Sequence, residues 1–493
     1  MPAPGLRLAS HEIVSKNLQR ALWICAAANL AVVAWDLATG GIHFQFFGVV
    51  LSSWEIAKPL RYAAISATVA IWLRDRGAAT TSWEAHASRP VVIALFVTVA
   101  WCASRDLSYA RDLVAHVKMG NMVGWDLLPT CRGLATFAAG SNPYVVGNLN
   151  HASGPAAGMT FPYPIAGAYP AKILCLAQDV LPNAHLGIYL AILAGSCAAL
   201  AYSLWRSTVE VAWVMLAAVS AFSAYRWLAL TGNIAIFEVP FAALSVAALH
   251  RRRYMLSGVA LGLMSTLKVL PLVGALAFLV LPIEWPKRLH PVAAAGLAFA
   301  AFHLVNAVIS GPYAWSFYAA TFGQIPGQPG LAGEPGGLNN PNFIDFAFAL
   351  FAKLGLGTTT PAVSAIAFCA MAAGAAIVLL AHRTADMGDD ATVRLFGVAV
   401  LVGNLFLFRL KPYAYGSLVP FAIAAVAFPN RAMRCVGYLV LAAVPALFVG
   451  RNIDIDVSVY AYFQTVSLLA FLAAAAGLNA YWLAIRTDPH RLM

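Results

Sequence analysis

The stretch Trp125 to Tyr144, WDLLPTCRGLATFAAGSNPY, holds an acid whose setting suits proton transfer. Pro129 fits the first turn of a helix, where its missing N–H is not needed. Leu128, just before it, is biased away from helical geometry. Gly140 is a natural stop, and Ser141-Asn142-Pro143 reads as a turn. The sequence therefore predicts a helix of about three turns. Asp126 stands just ahead of its N-terminus, where the helix dipole favours the ionised carboxylate that a general base needs. A capping aspartate in a loop is the plain alternative.

Cations outside the topological clusters suggest an anion-binding counterpart. Lys268 lies in LGLMSTLKVLPLV, at the junction of two short apolar helices. An ammonium at that depth is expensive, so it faces a polar cavity or snorkels to an interface. Pro271 suggests a broken helix, whose backbone must line something polar. A phosphate is a fitting partner there. Arg409 and Lys411 lie within three residues in FRLKPYAYG, with Tyr413 and Tyr415 following. An interfacial aromatic belt with snorkelling basic residues competes with anion binding at this turn. Arg132, on the helix after Asp126, is a contact to sugar or phosphate or a solvated loop residue. Asn233 and Glu238 open a span in LTGNIAIFEVP, with Glu238 about one turn deep, and an acid at that depth is a functional candidate. His303 and Asn306 read as helix–helix hydrogen bonds within a span.

The elements that must position these residues are transmembrane helices. The chain has 493 residues, 61% hydrophobic and 10% charged, with a mean hydropathy of +0.76. A soluble domain carries roughly a quarter charged residues. The apolar runs are long and continuous, which excludes strands as the main spanning element. Spans are expected at 21–38, 60–73, 90–103, 186–204, 210–228, 234–249, 256–267, 270–283, 291–309, 361–381, 395–408, 415–428, 435–449 and 459–484. The net charge of +11 follows from Lys and Arg that punctuate these runs, so it does not point to nucleic acid. Lys16 and Arg20, Arg74 and Arg76, Arg206, His250 to Arg253, Lys287 and Arg288, Arg383 and Arg394, and Arg431 and Arg434 all fall on one side, cytoplasmic by the positive-inside rule. Both termini then lie in the cytoplasm. The outer side receives loops 104–185 and 310–360, the turn from Phe408 to Gly416, and a smaller loop at 41–58. The Gly/Pro-rich tract 323–342 reads as a substrate-gating lid, with a flexible linker as the alternative. Residues 1–80 read as an N-terminal transmembrane pair, and 81–493 as the core with its outer loops. The first apolar run, from Leu22, reads as a retained span.

Seven cysteines are scattered without CxxC spacing, so no disulfide framework or zinc site is expected. No HExxH, Walker A, GxSxG or GxGxxG in a strand–helix context appears. Asp454 and Asp456 in RNIDIDVS read as a solvated outer loop.

In this order the segments resemble integral-membrane GT-C glycosyltransferases, and more narrowly glycosyltransferase family 87. WDLLPTCRGLATFAAGSNPY resembles the family loop in which an Asp precedes a short helix and then G-x-[DN]-PY. FPYPIAGAYPAKIL, from Phe161, resembles its YPP-like segment. TGNIAIFEVPFAAL resembles the GQ-N span start, with Asn233 where Gln is usual. SGVALGLMSTLKVLPLV resembles its small-residue helix ending in K-x-x-P. NNPNFIDFAFALFAKLG and FRLKPYAYGSLVP resemble its late segments.

The resemblance implies an all-α polytopic bundle of about fourteen spans with a long catalytic first outer loop. It implies transfer, with inversion, from a polyprenyl-phosphate sugar to a lipid or glycan acceptor at the periplasmic face of a bacterial inner membrane. Asp126 would be the base. Lys268, Arg409 and Lys411 would hold the donor phosphate. Trp125, Arg132, Tyr144, Asn233, Glu238 and Tyr413 would line the substrate site. No cofactor and no metal ligand is assigned, and metal dependence is left open. The partners are the donor, the acceptor and membrane lipid. Two other classes compete. A transporter or flippase usually shows two similar halves, and no such symmetry is visible. A polymerase or ligase of lipid-linked glycans shares the donor chemistry.

Overall fold

The structure, a computed structural model, describes residues 17–32, 42–46, 49–53, 126–149, 161–180, 184–221, 231–267, 270–321, 343–355, 360–384, 388–406, 412–448 and 463–487, with a few isolated positions besides. The chain divides into two compact units. One is Met1–Asn121 with Asn430–Ala443, and the other is Met122–Pro429 with Val444–Met493.

In the first unit, helix α1 spans 17–32. It is followed by an antiparallel hairpin of β1 (Ile42–Phe46) and β2 (Val49–Ser53), with Phe46 opposite Val49 and Ile42 opposite Ser53. The expected loop at 41–58 is thus a hairpin over much of its length. Aromatic and β-branched residues flank Gly48 on both sides, which is a strand and hairpin signal.

The second unit is helical throughout its described residues. Its helices are α2 (Leu127–Ala138), α3 (Ala171–Val180), α4 (Ala184–Trp205), α5 (Thr208–Ala221), α6 (Glu238–His250), α7 (Tyr254–Met264), α8 (Trp285–Ser310), α9 (Ser316–Thr321), α10 (Phe343–Lys353), α11 (Thr360–Arg383), α12 (Asp389–Leu405) and α13 (Val419–Ala425). Helix α14 (Arg431–Phe448) follows, and α15 (Phe463–Thr487) returns to this unit. Among the described residues, four stretches are long and apolar enough to cross a membrane: Gly187–Trp205, Trp285–Tyr313, Ser364–Arg383 and Thr465–Ala484. They coincide with four of the expected spans. Shorter apolar helices run over Ile234–His250, Tyr254–Met264 and Tyr415–Ala425. The expected span at 90–103 lies outside the described residues. Helices α8 and α11 turn Leu297, Leu304, Val308, Phe368 and Met371 outward. Water would penalise such an apolar face, whereas hydrocarbon does not.

The centre of this unit is packed through small residues. A Cβ on Gly258 would collide with the Pro291 carbonyl, and one on Gly262 with that of Ala295. Helices α7 and α8 therefore cross at backbone contact, the small-xxx-small arrangement of membrane helices. After α7 the chain breaks at Ser265 to Leu267 and resumes as a 3-10 segment, Leu270–Val280. Two separate segments stand where two short helices are expected.

Polar contacts, some buried and some exposed, close one end of the unit. Arg394, fully buried on α12, donates to the Thr384 carbonyl at 2.8 Å and lies over the Phe428 ring. Arg252 meets Asp389 at 2.7 Å, and His250 lies 3.6 Å from Asp390. The turn between α6 and α7 thus sits against the start of α12.

Candidate active site

Helix α2 begins at Leu127, directly after Asp126, as expected. Pro129 still lies in the first turn, where no N–H partner is required, so the bias on Leu128 is overridden. Asp126 is the N-cap residue, but its side chain makes no cap hydrogen bond. Its backbone N–H instead donates to the Thr231 carbonyl at 2.7 Å, and its own carbonyl accepts from the Thr130 hydroxyl at 2.9 Å. The carboxylate, half-buried, accepts from Asn233 Nδ2 at 3.0 Å.

Asn233 is held on every side. Its Oδ1 accepts from the Ala235 N–H at 3.0 Å, capping the 3-10 turn Ile234–Phe237 that leads into α6. That bond fixes which end of the carboxamide is oxygen, so Nδ2 is the end that faces Asp126. The Asn233 N–H donates to the Leu228 carbonyl at 3.2 Å, and its carbonyl accepts from the Tyr189 hydroxyl at 3.0 Å. Asn233 is 2% exposed and Glu238, the first residue of α6, 1%.

At its other end α2 stops at Gly140, which takes φ +78°. The Gly140 N–H donates to Phe137 and the Ser141 N–H to Thr136, the paired bonds of a left-handed helix stop. Asn142 Oδ1 accepts from the Tyr144 N–H, and its Nδ2 donates to Ser316 Oγ at 3.0 Å. The Tyr313 hydroxyl donates to the Gly140 carbonyl, and the Phe137 and Tyr313 rings meet edge-on. The turn after α2 is therefore docked on the segment that follows α8. Tyr144 is fully buried, its hydroxyl donates to the Tyr163 carbonyl at 3.0 Å, and its ring packs on Phe161 and Phe317. Burial raises its hydroxyl above the ordinary phenol range, so it stays a neutral donor. Burial raises the Tyr318 hydroxyl as well.

A disulfide joins Cys131 on α2 to Cys175 on α3. It overturns the expectation of no disulfide. The two residues are 44 apart in sequence and lie on separate helices, so no local spacing announces the bond. The available signal was that both lie in the outer loop 104–185 while most other cysteines lie in or beside apolar runs. Gly133 lies against the Phe161 ring, where a Cβ would collide. The Ala166 N–H donates to Asn306 Oδ1 at 3.0 Å, tying this loop to α8. Asn306 thus makes the helix bond expected of it, while His303 meets the Tyr318 hydroxyl at 3.0 Å.

The structure brings Asp126 and Asn233 together. Tyr144 stands beyond the far end of α2, whose 12 residues separate the two by about 18 Å along the axis. Arg132 is half-buried on α2 beside the disulfide. Trp125, Lys268, Arg409 and Lys411 lie outside the described residues. Tyr413 lies in the 3-10 segment Pro412–Leu418, and its side chain is likewise outside them. The flanks of these cations are placed, however. Leu267, just before Lys268, packs on Gly167 of the disulfide-bound loop. The segment Pro412–Leu418, just after Lys411, packs on the turn Ile234–Phe237 that Asn233 caps. Tyr189 and Thr231 also hold this site, and nothing in their local sequence signals it. Among the described residues no three His, Cys, Asp or Glu side chains come together as a metal site.

Comparison with known proteins gives one finding. The model of the family described as Glycosyltransferase family 87 matches residues 161–408, half of the chain. The match takes in Asn233, Glu238 and Lys268, starts after Asp126 and ends just before Arg409. No curated protein and no solved structure matches the chain.

Proposed function

Because the chain belongs to glycosyltransferase family 87, and is thus a membrane-embedded glycosyltransferase, we propose that it moves a sugar from polyprenyl phosphate to a lipid or glycan acceptor, with Asp126 as general base. The acceptor hydroxyl gives its proton to the Asp126 carboxylate. Its oxygen attacks the anomeric carbon from the face opposite the phosphate. The bond from the anomeric carbon to the phosphate oxygen breaks, its electron pair leaves on polyprenyl phosphate, and the configuration inverts. Charge develops on the leaving oxygen, and Lys268, Arg409 and Lys411 are the cations assigned to stabilise it. The polyprenyl tail stays in the bilayer between spans.

The observation that carries this reading is the Asp126 carboxylate. It stands at a helix N-terminus without capping it, half-buried and directed by a side-chain donor. A catalytic base has to be fixed in aim, and the Asn233 amide provides that at the carboxylate.

The loop is assigned to the periplasmic face of a bacterial inner membrane, in a bundle of fourteen spans with both termini cytoplasmic. The Cys131–Cys175 bond supports that side, because disulfides persist in oxidising compartments. The test is purified protein supplied with radiolabelled polyprenyl-phosphate sugar and a lipid acceptor. Label should move to the acceptor with inverted linkage. Label that crosses a vesicle bilayer without leaving its polyprenyl phosphate would make the protein a flippase instead.

A further inference from the structure

We propose that Asn233 is the positioning residue of the base: its amide aims the Asp126 carboxylate and keeps it ionised. This rests on the reading of Asp126 as base and adds a role that no substrate contact would give Asn233. The geometry has three parts. The Asp126 backbone is fastened to Thr231, two residues before Asn233, so the two side chains face each other at short range. The Asn233 oxygen is committed to the Ala235 N–H, which leaves only its NH2 end for the carboxylate. The Asn233 backbone is fixed in turn by Leu228 and by the Tyr189 hydroxyl. A buried amide pinned in this way cannot rotate to offer Asp126 an acceptor. It therefore stabilises the carboxylate over the protonated acid, because an amide N–H bonds the charged form more strongly than the neutral one.

The other described titratable or charged side chains on the elements packed here are few. They are Arg132 on α2, Lys172 on α3, His185, Tyr189, Cys197 and Tyr202 on α4, Glu238 and His250 on α6, and Tyr415 in the segment Pro412–Leu418. None of them substitutes for an amide donor that both caps a turn and meets Asp126.

The experiment separates aiming from capping. In Asn233→Asp the new carboxylate still accepts from the Ala235 N–H, because Asp caps as well as Asn. It no longer donates to Asp126, and two carboxylates at hydrogen-bond distance share a proton. The acid limb of the kcat/KM against pH profile should move up by about one unit or more. Activity lost at neutral pH should return as the pH rises, because the base works only when deprotonated. Asn233→Ser is the second variant; it caps the turn but is too short to reach Asp126. Its acid limb should also move up, and kcat should fall by about tenfold with the KM for donor unchanged. Either variant folded, with a wild-type acid limb, would overturn the inference, provided that Asp126→Asn has lost turnover. Should Asp126→Asn keep its turnover, the base assignment itself falls and this inference with it.

Discussion

Asp126 faces a side-chain donor that comes from a distant element, Asn233 Nδ2. Asp106 and Asp112 lie outside the described residues, and Asp179 sits in the last turn of α3. Asp126→Asn keeps the size of the group but cannot take a proton. General-base catalysis typically contributes about 10²–10⁴-fold, so turnover should fall by that factor. Donor affinity and thermal stability should stay near wild type, because the assigned phosphate contacts lie on other segments. Wild-type turnover in this variant would remove Asp126 as base. The aspartate was legible in sequence because a proline and a glycine bracket its helix. Its partner was not. Asn233 lies 107 residues away, and no local periodicity carries a pairing of that range. Tyr144 shows the opposite case. It was legible as part of a distinctive turn, but only the fold shows the side chain turned into the loop's core against Phe161.

Elements are held here by two devices of different visibility. The Cys131–Cys175 bond clamps α2, and so the base, to α3. For a separation of 44 residues, chain entropy gives a stabilisation of about 4 kcal/mol. Cys175→Ser should lower the melting temperature, and the disulfide-linked peptide pair should vanish from non-reduced digests. Free alkylation of Cys131 in the unmodified protein would contradict the bond. The second device is the Gly258–Gly262 face of α7. Gly262→Ala would push a methyl group into the Ala295 backbone, and overpacking of this kind costs about 1–3 kcal/mol. Gly296→Ala, on α8 itself, meets open space and should be tolerated. Equal loss of stability in both variants would argue against a backbone-contact crossing. The small-residue run was legible in sequence, but which helix it receives was not, because spacing names a face and not its partner. The hairpin at 42–53 was overlooked for a related reason. In a chain this apolar, short alternating runs are submerged in the hydrophobic background.

Across the whole of the larger unit, contacts sort the loops into two sets. One set holds the turn after α2 with the segment after α8, through Asn142 and Ser316, and through Gly140 and Tyr313. The other holds the turn of Arg252 with the start of α12 at Asp389, and Thr384 with Arg394. Helix α6 connects them, running from Glu238 beside the Asn233 turn to His250 beside Asp390. The charge pattern along the chain leads one to expect the first set outside and the second inside, and the contacts join the same pairs of segments. A cysteine probe at Ser141, which is exposed, and another at Asp389 should therefore react differently. The background carries Cys25 and Cys369 as serine, since both are exposed. The Asp389 probe gives up only a surface ion pair worth about 1 kcal/mol or less, so the fold should survive. In intact cells a membrane-impermeant maleimide should label Ser141→Cys and spare Asp389→Cys until the membrane is opened. The reverse pattern would put Asp126 in the cytoplasm, and a donor sugar presented at the periplasmic face would never reach it.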